Sequence, residues 1–283
     1  MIENNFNIIL YLNINCYCFL MIPIIEDVND LNKLFDCFNK SGFCYIHIDN
    51  IKLINQTYNY VKDFFDEDTK NTLLMDKNGI GYIPKNRYSK KENIIEIKEQ
   101  FTYRPSEINI GEKYNNQLND YYNYMSNFAK IIFNNLLRCI NIEKRYDESF
   151  NTLTLLHYKK DNIHDDLGIG MHSDWGWITI LWTDNDGLQI KNENNEWIDI
   201  PNIKDHFIIN IGDMLELLSS GKYKSTVHRV KVKEEKYSMA FFYEPSLDSI
   251  ITPIKYNEKY FDISFKEYID LKLKESYDKT YTN

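Results

Sequence analysis

Arginine is scarce in this chain of 283 residues, occurring only five times. Acidic residues outnumber basic ones 42 to 33, for a net charge of −9. A general nucleic-acid surface needs clustered Lys and Arg, so that class of function is disfavoured, though a local basic pocket is not. Cysteine is also sparse: Cys16, Cys18, Cys37, Cys44 and Cys139 form an odd set with no Cys-x-x-Cys pair. Neither a disulfide framework nor a zinc-thiolate site is expected, and a reducing, cytoplasmic compartment is. Long apolar runs are missing. Phe6 to Leu20 is broken by Asn7, Asn13 and Asn15, is too short to span a membrane, and has no Lys or Arg before it. Residues 1–20 are read as a leader outside the fold, with Met21 as a candidate start. No Gly-x-Gly-x-x-Gly, phosphate-loop lysine or Ser-His-Asp nucleophile presents itself. No linker rich in Pro, Gly or Ser divides the chain, and no repeat is visible.

What is present is apolar and aromatic. Hydrophobic residues make up 43% and aromatics 15%, with 22 Tyr and 16 Phe, so a packed core is expected. Asn, Ile, Lys and Tyr are abundant beside the few Arg, which reads as a bias written through the whole chain. The first half is mainly helical by period. Leu31, Leu34, Phe35 and Phe38 form one stripe, stopped at Gly42; Ile54, Tyr58, Val61 and Phe65 form a second. A longer one runs through Leu118, Tyr122, Met125, Phe128, Ile132 and Leu136. Phe43 to Ile48 is an extended run between them.

From Asn151 the pattern changes to short β-branched and aromatic runs: Thr152–Tyr158, Ile178–Thr183, Phe207–Ile211, Thr226–Val232 and Tyr237–Tyr243. Asp186-Gly187, Gly212-Asp213 and Ser220-Gly221 are read as tight turns. Many short strands at this spacing predict a sandwich or jelly roll. The expected plan is an N-terminal helical region with short strands (21–150), a β-core (151–250) and a helical extension (251–283) with an amphipathic stretch at Phe265–Leu273.

His172-Ser173-Asp174 leads from a glycine-flanked turn (Gly168, Gly170) into a strand. Residues i and i+2 of a strand share a side, so imidazole and carboxylate can reach one ion. A second His from a distant strand completes a 2-His-1-carboxylate face that leaves three octahedral positions open, as an iron(II) oxygenase requires. His-x-Asp by itself is weak. It recurs at His47/Asp49, at the end of an early strand, and at His164/Asp166, in a charged loop. Two downstream His compete for the third place. His228 sits in the alternating run Thr226-Val227-His228-Arg229-Val230, whereas His206 follows Asp205 and reads as a solvated edge residue.

The segment Gly168–Gly176, followed by Thr179–Leu181 and Gly187-Leu188-Gln189-Ile190, resembles the core of the isopenicillin N synthase-like 2-oxoglutarate/iron(II) dioxygenases. Asn210-Ile211-Gly212-Asp213-Met214-Leu215-Glu216 and Ser220–Val230 are similar to that family's next block. Ile22–Ile25, Gly42–Ile46, Gly81-Tyr82, Lys98–Phe101 and Leu155–Tyr158 extend the likeness, which runs from residue 22 to about 246. The resemblance implies a double-stranded β-helix (jelly roll) buttressed by helices, with iron on His172, Asp174 and His228. It also implies 2-oxoglutarate as co-substrate, dioxygen, and ascorbate as an optional reductant. By the same resemblance Tyr158, Lys236 and Ser238 hold the distal carboxylate of 2-oxoglutarate. Lys236 departs from the family's Arg, replacing a flat bidentate fork with a point charge.

Trp175, beside Asp174, is expected to wall the substrate cleft, Trp177 to pack in the core, His157 to be a satisfied β-sheet residue, and Arg229 to point away from the site. The leading expectation is an oxygenase that hydroxylates or desaturates a small molecule, with no nucleic-acid or membrane partner. Beside it stand an iron oxidase of the same family that does not use 2-oxoglutarate, a catalytically silent jelly-roll binding module, and a demethylase of nucleic acid or protein, which fits the acidic balance poorly.

Overall fold

The computed structural model describes residues 22–84, 87–89, 94–143, 146, 150–159 and 167–276. The expected leader, Cys16, Cys18 and the His164/Asp166 pair lie outside the described residues. The first half carries β1 (Ile24–Ile25), α1 (Leu31–Lys40), β2 (Phe43–His47), α2 (Ile51–Asp66), β3 (Gly81–Ile83), β4 (Arg87–Ser89), β5 (Ile94–Glu96), β6 (Lys98–Tyr103) and α3 (Glu112–Cys139). The second half carries β7 (Thr152–Tyr158), β8 (Leu167–His172), β9 (Ile178–Thr183), β10 (Leu188–Lys191), β11 (Trp197–Ile200), β12 (His206–Ile211), α4 (Asp213–Leu218), β13 (His228–Lys231) and β14 (Lys236–Tyr243). A two-stranded ladder, β15 (Ile250–Ile251) with β16 (Ile263–Ser264), and α5 (Phe265–Ser276) follow.

The helices start and run as their sequences dictate. The Asp30 side chain caps α1 by accepting from the Lys33 amide, and Asn50 caps α2 by accepting from that of Leu53. In α3 the stripe is centred on Leu118, Tyr121, Met125, Ala129, Ile132 and Leu136. Tyr122 and Phe128 sit at its half-buried margin.

Two sheets face one another. The larger has eight strands in the order β1-β2-β12-β9-β14-β7-β6-β3, the smaller four in the order β11-β10-β13-β8. From β7 onward the chain passes back and forth between them: β7 large, β8 small, β9 large, β10 and β11 small, β12 large, β13 small, β14 large. That winding is the expected jelly roll. Strands β1, β2, β6 and β3 from the first half widen its larger sheet. The turn from β9 to β10 needs Gly187, whose φ is +128°; a Cβ there would stand 2.1 Å from the Lys231 carbonyl oxygen.

The period of two sorts side chains to two interiors. On β14, Tyr237, Met239, Phe241 and Tyr243 join the main core under the helices. Phe133 of α3 meets Trp177 at 4.9 Å and Tyr243 at 5.4 Å between ring centroids, and Trp177 is fully buried in this aromatic cluster as expected. Each such ring contributes about 1.5–3 kcal/mol by burial. The alternate residues Lys236, Ser238 and Ala240 face the smaller sheet. There, Leu156, Tyr158, Val230, Val232 and Ala240 form one apolar cluster, and Phe43, Tyr45, Leu188, Ile190 and Ile208 another. The candidate site lies in this inter-sheet space.

Gly212-Asp213 is not a tight turn between strands. Gly212 precedes α4, whose first amides need acceptors. The Asp174–Gly176 loop supplies them: Asp213 N–H donates to the Asp174 carbonyl at 2.8 Å and Met214 N–H to that of Gly176 at 3.1 Å.

Candidate metal centre

The β8–β13 ladder pairs His172 directly with His228. Asp174 lies two residues past the end of β8, in the loop that α4 holds. One ligand atom from each of the three comes within 4.8 Å of the others, the one such group among the described residues. Asp174 Oδ1 stands 3.8 Å from His172 Nε2 and 3.7 Å from His228 Nε2. The two imidazole rings are 4.3 Å apart.

Local hydrogen bonds orient each donor. Nδ1 of His172 is 2.8 Å from the Gly170 carbonyl, and Nδ1 of His228 is 3.0 Å from that of Thr226. A carbonyl only accepts, so each Nδ1 carries the proton and each Nε2 turns its lone pair toward Asp174. Burial first, and His228 next, push the pKa of His172 down to about 4, so its ring is neutral at physiological pH. About a third (34%) of this side chain is still accessible, giving the centre one open side.

Asp174 is buried, which alone would raise its pKa. The two imidazoles, then hydrogen bonds from Asn210 and Thr179, outweigh burial and hold it below the usual carboxylate range. Both bonds fall on Oδ2, from Thr179 Oγ1 at 2.5 Å and Asn210 Nδ2 at 2.7 Å, leaving Oδ1 for the histidines. Thr179 and Asn210 are register partners on β9 and β12. Sequence reasoning gave neither a role. Their signal was a polar residue on the inward face of an otherwise apolar strand.

Lys236 pairs with Tyr158 across β14 and β7 and is only 1% exposed. Its Nζ donates to the carbonyls of Asn185 at 3.1 Å and Asp186 at 3.2 Å and lies 5.7 Å from the Tyr158 ring. Desolvation lowers its pKa to about 8 against the opposing pull of Asp184 and Asp186. Ser238 Oγ donates to Thr183 Oγ1 on the same face. Gly168 lets β8 lie against Tyr158, because a Cβ there would meet its ring at 2.5 Å.

The remaining expectations separate. Trp175 is half-buried against the main core beside Asp174. His206 is set apart from the centre: its Nδ1 bonds the Lys204 carbonyl and its ring meets His47, at 5.3 Å between centroids. His157 is buried on the outer face, 2.6 Å from Glu99 and 2.8 Å from Glu235, and stacked on Tyr237. Arg229 turns away from the centre, bonding Gln189 and stacking on Trp197.

Residues 145–245 match the family model of the 2OG-Fe(II) oxygenase superfamily. The match to that superfamily spans the β-domain, about a third of the chain. The chain is 43% identical over 98 residues to the homoarginine-6-hydroxylase 2-ODD-C23 of Glycine max, covering 33% of this chain and 30% of the relative. It is 48% identical over 88 residues to a 1-aminocyclopropane-1-carboxylate oxidase of Dictyostelium discoideum, covering 29% and 24%. The chain thus matches less than a third of the length of these curated relatives. A full-length Neurospora crassa protein, solved in complex with alpha-KG, superposes with a TM-score of 0.77 at 23% identity, over 90% of this chain and 96% of that one. That likeness shows a shared fold. No described helix is long and apolar enough to cross a membrane.

Proposed function

We propose that the protein is a non-haem iron(II) oxygenase that uses 2-oxoglutarate and dioxygen to oxidise a small molecule. The observation that carries this reading is the preset triad: two Nε2 lone pairs and Asp174 Oδ1 converge, with each opposite atom already held by a hydrogen bond. Two neutral nitrogens and one carboxylate oxygen with an open side are the donor set that suits iron(II) in such enzymes. His172, Asp174 and His228 would hold the metal. When bound, iron(II) with dioxygen supplies the oxidising chemistry, coupled to conversion of 2-oxoglutarate into succinate and carbon dioxide.

The chain's own residues bind and orient. Thr179 and Asn210 fix the Asp174 carboxylate. Lys236 offers a buried ammonium whose third N–H is left over from two backbone carbonyls, and it would anchor the far carboxylate of 2-oxoglutarate with help from Ser238 and Tyr158. The apolar cluster around Val230 and Ala240 keeps water from the space between anchor and metal. Trp175 would border the substrate beside Asp174. A small-molecule substrate agrees with the open side at His172 and with the relatives, whose names include homoarginine hydroxylation.

A same-family oxidase that makes no succinate is the second reading, favoured by the point-charge Lys236 and by the likeness to the Dictyostelium oxidase. The test is succinate formation from 2-oxoglutarate under iron(II), ascorbate and oxygen, compared with His172→Ala. Succinate from the wild type alone supports the first reading. Iron binding without succinate or 2-oxoglutarate binding moves the case to the second, and absence of iron binding overturns both.

A further inference from the structure

Asp213 touches both chain segments that carry the candidate metal ligands. Its amide donates to the Asp174 carbonyl at 2.8 Å. Its carboxylate accepts from Ser173 Oγ at 2.9 Å and from Ser225 Oγ at 2.5 Å. Ser173 separates His172 from Asp174, and Ser225 stands three residues before His228. From α5, the Tyr268 hydroxyl donates to the same carboxylate at 2.5 Å, and Lys272 Nζ stands 3.6 Å away. Three hydrogen bonds and one ion pair thus converge on this carboxylate, with Ser173 and Tyr268 on Oδ2 and Ser225 on Oδ1. The β8–β13 ladder breaks register next to His228, so backbone pairing alone holds the two histidine segments loosely.

We infer that Asp213 is a positioning residue through which α5 sets how tightly the His172–Asp174–His228 centre binds its metal. The inference rests on the metal reading of that triad. Asp213 touches no ligand atom. It fixes the two chain segments that carry the ligands relative to each other, and α5 fixes Asp213. Losing the Tyr268 bond leaves the carboxylate free to turn away from Ser173 or Ser225, so ordering the segments falls to the metal. Direct partners of metal ligands are worth roughly 10–100-fold in affinity. A partner one residue removed is expected at the low end, about tenfold.

The experiment titrates Co(II) into the full chain as wild type, Tyr268→Phe, Asp213→Asn, Ser173→Ala and the Tyr268→Phe/Ser173→Ala double variant. Visible absorption follows the ligand field, and Tm is measured with and without Co(II). The expected result is a Kd raised about tenfold in Tyr268→Phe and Ser173→Ala, a shifted visible band, and a smaller metal-induced rise in Tm. The double variant should be little weaker than either single one, because both act through the same carboxylate. Tyr268→Phe and Asp213→Asn proteins that melt earlier but bind Co(II) within twofold of wild type, with an unchanged spectrum, would reduce α5 to a folding element and overturn the inference. Independent, multiplying effects in the double variant would overturn the route through Asp213. A wild type that binds no Co(II) would overturn the metal reading itself, which the first two failures leave standing.

Discussion

Raising the pH should release 2-oxoglutarate before it releases the metal, because the proposed anchor is a lysine. Lys236 is nearly inaccessible and its pKa is lowered to about 8. Its ammonium is then roughly 90% populated at pH 7 and roughly 10% at pH 9. If only the ammonium binds the carboxylate, the apparent Kd rises about tenfold over that range, or about 1.4 kcal/mol. Calorimetric titration of 2-oxoglutarate into anaerobic iron(II)-loaded protein at pH 7, 8 and 9 reads this directly. Lys236→Arg keeps its charge throughout and should flatten the profile. Lys236→Met, without a charge-assisted bond worth about 1.5–3 kcal/mol, should bind at least about tenfold more weakly at pH 7 with no pH dependence. The same shift acts on stability. In the unfolded chain the lysine keeps its proton until about pH 10.4, so between there and pH 8 the unfolded state holds more protons. Ligand-free protein should therefore gain stability from Lys236 as pH rises through that window. A wild-type Kd that moves less than threefold between pH 7 and 9, or a Lys236→Met protein that binds as tightly as wild type, would refute the role given to Lys236.

Asn210→Ala removes a 2.7 Å hydrogen bond to Asp174 and should weaken metal binding about 10–100-fold in a competitive titration, with the fold retained. Gly168→Ala drives a methyl into the Tyr158 ring and should cost about 1–3 kcal/mol in denaturant unfolding. His228→Ala should abolish metal-dependent succinate formation, whereas His206→Ala, half-buried beside His47 and away from the triad, should leave it intact.

Those expectations show what was readable along the chain. Thr152–Tyr158 and Ile178–Thr183 match strands end to end, because buried β-runs bounded by turn residues advertise themselves. His172 and Asp174 stood out because they lead into a β-run, and His228 because its neighbours alternate, but Asp174 reaches the group from the loop after β8 and not from a strand. The Asp174 partners were not readable. Thr179 and Asn210 reach it from two strands whose pairing a linear pattern does not encode. Gly212-Asp213 misled for a related reason. Gly before Asp signals a turn locally, but here distant carbonyls at Asp174 and Gly176 complete a helix start. The stripe of α3 was found but set slightly askew, since Tyr121 and Ala129 are buried while Tyr122 and Phe128 sit at its margin.

The ladder that carries Lys236 is walled in on both sides: β14 pairs with β7 and β9, and β7 in turn with β6. Its outer face is pinned by His157 between Glu99 and Glu235. The ladder that carries both histidines is different, with β8 at the margin of a four-stranded sheet and register breaks beside His228. Amide protons should report the contrast, those of β7 and β14 exchanging only by global opening and those of β8 by local fraying. The proposed centre would thus be built from a slow half and a fast half: the lysine offered as carboxylate anchor stands on a rigid floor, while the histidine-bearing rim is free to breathe around a molecule that enters.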